Sequence, residues 1–104
     1  MSQLVTNSFI LEIIDRSFNA VGDRGKKAVW FYLEQNPKFS REKILENIDQ
    51  IESDLRALFG LTYEFIDAML RKELQDAIGQ NLDYNKSFSQ CVKYLQNKPS
   101  DATK

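Results

Sequence analysis

The sequence predicts an all-α protein, a compact single-domain bundle of five to six short helices. Three observations carry this. Apolar residues recur at steps of three and four, the period of one helix face. No stretch alternates apolar and polar residues as a half-buried strand does; the nearest, 28–33, has no partner strand. Four glycines and two prolines punctuate the 104 residues between the periodic runs. The expected domain covers residues 1–96, followed by a polar, frayed tail over 97–104.

The first helix is expected over 4–21. Ile10, Ile13, Ile14, Phe18 and Val21 share a face, and Gly22 stands where a helix favours a left-handed residue after its end. The second is expected over 24–36, with Asp23 as its cap and Ala28, Val29, Tyr32 and Leu33 turned inward. Pro37 disfavours helix at Asn36. Ser40 is placed to cap a short helix over 41–47, with Phe39 and Ile44 spaced as a hydrophobic staple. Asn47 and Gln50 have capping-box spacing, so a fresh helix is expected over 48–59 on Ile48, Ile51, Leu55 and Leu58, stopped by Gly60. Thr62 is expected to cap a helix over 63–78, with Leu61 and Ile66 spaced as a second staple and the stripe Tyr63, Ile66, Met69, Leu70, Leu74, Ala77 and Ile78, ended by Gly79. Ser87 to Gln90 opens a final helix over 87–96, with Phe88, Val92 and Leu95 inward.

Composition narrows the chemistry. With no histidine there is no Ser-His-Asp triad, no Cys-His dyad and no His-bearing zinc site. The single cysteine, Cys91, has no partner for an internal disulfide, which suits a reducing, cytoplasmic setting. Acidic Glu12 and Asp15 interrupt the first apolar stretch, so it does not read as a signal peptide, and no run is long enough to span a membrane. The net charge is −1 and the pI about 5.4. Acids and bases are mixed along the chain, without the basic stripe that phosphate neutralisation requires.

Each chemical motif has a plainer reading. Gly22 to Lys27 resembles a phosphate loop but lacks its glycine spacing and its Lys-Ser/Thr pair, and reads as a turn between helices. Glu46, Asp49, Glu52 and Asp54 form an acidic cluster without the calcium-loop glycine, and read as a solvated helix face. Cys91 reads as a small, partly buried residue. Asp67 and Arg71 have the spacing of an ordinary helix-surface ion pair. No catalytic residue, metal, cofactor or small-molecule ligand is assigned.

The aromatic residues stand apart. Trp30, Phe31 and Tyr32 are consecutive, and Trp30 and Tyr32 are about 200° apart on a helix. With Val29 and Leu33 inward, at least one of Trp30 and Phe31 falls at the edge of the buried arc, the plainer reading being a helix buried on two sides inside the domain. Trp30 and Phe31 are the candidate protein-interaction surface, since exposed apolar patches mark binding sites.

The chain resembles the Nitrosopumilus output domain, a small helical domain found in archaea. The resemblance covers roughly residues 9–95. It is carried by Ile10 to Asp15, Gly22, residues 28–34, Ser40 to Ile44, Leu58-Phe59-Gly60, Ile66, Lys72 to Leu74, Ser87-Phe88 and Val92. It implies a helical domain that stands alone or is attached to signalling architecture, of undefined biochemical role, and supplies no catalytic or metal-binding residue. The reading of the sequence is therefore a non-enzymatic protein–protein interaction module acting on a protein partner or on itself as a homodimer. A small DNA-binding transcription regulator acting as a dimer is the alternative, and acidic residues on its would-be reading helices oppose it.

Overall fold

A computed structural model describes residues 5–83 and 85–97. Among them there are α-helices and 3-10 turns and no strand. Of the polar tail expected over 97–104, Asn97 is instead the last residue of the final helix, and residues 98–104 lie outside the described residues, as do residues 1–4.

Helix α1 runs Asn7–Ser17. It starts later than 4–21 predicts because Thr6 is its cap, with the Phe9 N–H donating to Thr6 Oγ1 at 3.1 Å. It ends earlier because residues 18–21 tighten into a 3-10 turn. Ile10, Ile13, Ile14 and Phe18 are all buried. Helix α2, Gly22–Glu34, follows directly. Gly22 has φ +80° and ψ 167°, a positive-φ conformation that makes the corner between the two helices. Gly25 is needed for closeness: a Cβ there would stand 2.9 Å from Cγ2 of Val21.

The buried face of α2 is Val29, Trp30 and Leu33, while Ala28 is exposed and Tyr32 only half-buried. The face is thus turned from the expected one, toward Trp30. The segment Arg41–Asn47 is not an α-helix but 3-10, broken at Lys43 (φ −123°, ψ 39°). It carries the buried Ile44 and packs on α1, where the Leu45 N–H donates to Asn7 Oδ1 at 2.9 Å.

Helix α3 is Ile48–Phe59, and α4 is Tyr63–Ile78. A 3-10 turn, Gly60–Thr62, forms an elbow between them. The expected caps Asp23, Ser40, Asn47 and Thr62 make no capping hydrogen bond. Asp23 lies inside α2, which begins at Gly22; Asn47 donates to Lys43 O and Thr62 to Phe59 O where α3 and α4 follow directly on a 3-10 turn, whereas Ser40, extended at φ −147° and ψ 125°, donates to Glu42. Gly79 ends α4 in the left-handed conformation, φ +72°. Helix α5, Phe88–Asn97, packs on α3 and α4. Its capping box is present: the Ser87 N–H donates to Gln90 Oε1 at 2.8 Å and the Gln90 N–H to Ser87 Oγ at 3.3 Å. Helix α1 lies at the middle, packed on α4 and on 41–47.

Candidate interaction surface

The sequence singles out Trp30 and Phe31, and the structure separates them. Trp30 is only 5% exposed and belongs to the core. Its ring meets Phe18 edge-on, with centroids 5.3 Å apart, and Phe39 at 6.2 Å. The Arg41 guanidinium lies 4.3 Å above it. The indole N–H donates to Asp15 Oδ1 at 2.9 Å. Trp30 is therefore removed from the exposed surface. The edge of α2 is covered by the segment after it, which brings Phe39 and Arg41 over the ring, and the polar tip is met by a carboxylate on α1. Phe31, one residue on, is 67% exposed.

A second apolar set lies at the elbow between α3 and α4. Leu61 is 99% exposed and Phe65 67%, with Leu58 also exposed before Gly60. The positive φ of Gly60 (+59°) turns the chain there. Tyr63 and Ile66, in the same turn of α4, point inward and are buried. Leu61 and Phe65 are four residues apart, on the outward side of this turn.

Two carboxylate arrangements, one buried at Asp67 and one half-buried at Glu52, were missed at the sequence level. Asp67 is only 3% exposed. It accepts from the Tyr63 hydroxyl at 3.1 Å, from Arg71 Nε at 2.9 Å and from the Phe88 N–H at 2.9 Å. An apparent surface ion pair is thus a buried junction joining α4 to the first turn of α5. Burial, reinforced by Asp67 and Glu52, pushes the Tyr63 hydroxyl far above its ordinary range. Glu52, on α3, accepts from Ser87 Oγ at 3.0 Å, from Ser89 Oγ and from Arg56 Nη2 at 2.9 Å. Burial pushes the Glu52 carboxyl up, but these hydrogen bonds together outweigh it and hold the group below its usual value. The Arg56 guanidinium also lies 4.6 Å over the Tyr63 ring.

The other motifs resolve into structure. Lys26 of the glycine-containing turn pairs with Asp15 at 2.9 Å and donates to Asn19 at 2.8 Å. The acidic cluster disperses: Asp49 pairs with Lys93, Glu52 faces α5, and Asp54 accepts from Gln50 and Asn36. Cys91 is fully rather than partly buried, and burial pushes its thiol up, against the opposing pull of Arg71. Two clefts remain. One of about 420 Å³ lies between α3 and α5, lined by Asp49, Glu52, Ser53, Arg56, Ser87, Ser89, Gln90 and Lys93. One of about 320 Å³ lies beside Leu82, Cys91 and Tyr94.

Comparison of the chain with family models, with curated proteins and with solved structures finds no match. Among the described residues no helix is long and apolar enough to cross a membrane.

Proposed function

We propose that the chain is a non-enzymatic helical module that binds another protein, or a second copy of itself, through the elbow between α3 and α4. The observation carrying this is Leu61, a large apolar side chain 99% exposed, with Phe65 outward beside it. Isolated exposed leucines are ordinary, but Leu58, Leu61 and Phe65, spaced three and four residues apart, put three exposed apolar side chains at one corner of the fold. Aromatic residues are enriched at the centres of protein interfaces. Of the two residues first singled out, Phe31 keeps a place as a second exposed aromatic, and Trp30 does not.

The non-enzymatic part rests on the state of the best-placed polar groups. Ser87 and Ser89 contact a carboxylate, the arrangement of a nucleophile and its base. A general base works best near the operating pH, whereas hydrogen bonds pull Glu52 the other way. Glu52 is built to stay ionised and to hold a helix. The cytoplasmic setting and the downstream protein partner are carried only by the sequence resemblance to an output domain, and no family model matches the chain. The DNA-binding alternative gains nothing from the geometry, since exposed Glu64 and Asp76 alternate with Lys72 on α4.

The test is light scattering over a range of concentrations, on wild type, Leu61→Asp and Phe65→Ser. Self-association that both substitutions abolish, with helicity retained, supports the elbow as the contact. Association that neither substitution changes sinks it. For a monomeric wild type, a photo-crosslinking residue at position 65 must yield a discrete protein adduct that Leu61→Asp removes.

A further inference from the structure

We propose that α5, with Ser87 in front of it, is a strap that folds only as it docks, and that Asp67 and Glu52 are the catches that hold it. The inference is independent of the elbow and its partner. It starts from length. Helix α5 has ten residues, and helices shorter than about 12–15 residues are marginal in water by themselves. Its stability must come from its contacts.

Those contacts are concentrated at one end. The buried side chains of α5 are Phe88, Ser89, Cys91 and Val92, whereas Lys93, Tyr94, Gln96 and Asn97 are exposed. The first turn of a helix has N–H groups that need partners from outside the helix. Here one of them, at Phe88, is met by the carboxylate of Asp67 from α4. The hydroxyls of Ser87 and Ser89 are met by Glu52 from α3. Beside the local Ser87–Gln90 capping box, the Phe88 N–H bond to Asp67 both caps α5 and docks it, so helix formation and docking are coupled.

Release need not disturb the rest. Helix α5 packs on α3 and α4, while α1 packs on α4 and on the segment 41–47. Phe88, Cys91 and Val92 join the same core cluster as Ile10, Ile14, Trp30 and Leu33, and they join it on the side of α3 and α4. Opening of α5 then costs less than global unfolding, as for other local units with few partners. It would uncover the faces of α3 and α4 that Phe88 and Val92 now cover.

The chain carries one reporter on each side of this division. Cys91, its single cysteine, is buried in α5, and Trp30, its single tryptophan, is buried in the α1–α2 core. The experiment uses the full chain. Cys91 is labelled with an aromatic disulfide reagent at rising denaturant, and Trp30 fluorescence follows global unfolding. We expect labelling to proceed with a shallow denaturant dependence while Trp30 remains native, since a smaller opening exposes less surface. Glu52→Ala and, more mildly, Ser87→Ala should each speed labelling, with Glu52→Ala accelerating it about 10- to 100-fold through loss of charge-assisted hydrogen bonds. Ile14→Ala should instead move the Trp30 transition and leave low-denaturant labelling unchanged. The proposal is overturned if Cys91 labelling follows the same denaturant slope as the Trp30 transition, or if Ile14→Ala speeds low-denaturant labelling as much as it lowers the Trp30 transition.

Discussion

The two sides of this molecule join polar and apolar groups in opposite ways. Around Trp30, a large ring does the burying and a carboxylate waits at its edge. Asp15 has a half-exposed side chain and takes the indole N–H and Lys26 from outside. Around Asp67 the carboxylate itself is inside, and Tyr63, Arg71 and the start of α5 are organised about it. The first side depends on apolar volume, where loss scales with the cavity left. The second depends on complete hydrogen bonding, where loss scales with how many buried groups are left without partners.

The largest expected effect is on the first side. Trp30→Ala should destabilise the chain by about 3–5 kcal/mol, the usual range for deleting a buried aromatic ring. Phe18 and Phe39 would face a void, and Asp15 would lose its indole partner. Chemical denaturation followed by circular dichroism measures this. A loss under 1 kcal/mol would mean the ring is not sealed as described.

Next comes Asp67→Ala. It strands the Tyr63 hydroxyl and the Phe88 N–H, and one buried unsatisfied group costs about 1–3 kcal/mol. We expect a loss of about 2–3 kcal/mol, partly recovered in Asp67→Asn, whose carbonyl oxygen still accepts. If the asparagine variant is no better than the alanine one, charge rather than hydrogen bonding holds the junction.

Acid separates the sides more finely. Burial raises the Asp15 carboxyl, but hydrogen bonds from Lys26 and Trp30 bring it below its ordinary 3.8. Glu52 is likewise held below its ordinary 4.5, by Ser89, Arg56 and Ser87 against burial. For both groups the unfolded chain binds protons more readily, so each contributes stability above its ordinary value and loses it as pH falls through the depressed folded one. Stability should therefore fall in acid, beginning near pH 4.5 with Glu52. Glu52→Gln should flatten that limb with little dependence on salt. Asp15→Asn should flatten it less and in a salt-sensitive way, because its ion pair is exposed. Urea titrations across this range, at low and high salt, are the check.

How legible each side was in the sequence follows from the same contrast. The apolar stripes of α1, α3 and α4 are periodic, and Ile10, Ile13, Ile14, Ile51, Leu55, Leu70 and Leu74 are buried where periodicity puts them. Trp30 was not legible, because what covers it comes from Phe39 and Arg41, beyond a proline turn whose path no local pattern specifies. Asp67 was not legible either. Spacing of four makes Asp67–Arg71 look like any surface pair, and only the arrival of Ser87-Phe88 from a distant part of the chain makes it interior. Ser87 and Gln90 were readable as a helix start because a capping box is local. The exposure of Leu61 was hidden for the opposite reason. Its position before Thr62 suited a staple onto Ile66, but Ile66 turned to the core and Leu61 did not follow.

The smallest effect on stability is expected at that elbow, and it is the most informative about function. Leu61 touches water over almost its whole surface, so Leu61→Asp removes little buried area. Surface substitutions away from special features usually stay within about 0.5 kcal/mol. The introduced carboxylate also sits just before α4, where the N-terminal dipole favours negative charge. Phe65→Ser should be nearly as neutral, since its ring is 67% exposed and Tyr63 and Ile66 supply the buried side of that turn. A residue this costly to solubility and this cheap to remove has no role in holding the monomer together. If both variants keep wild-type stability and lose association, the elbow is a contact surface, distinct from the two sides that build the fold. A loss of several kcal/mol in Leu61→Asp would mean that the leucine folds back onto the core in solution, and the elbow would then offer no apolar face to a partner.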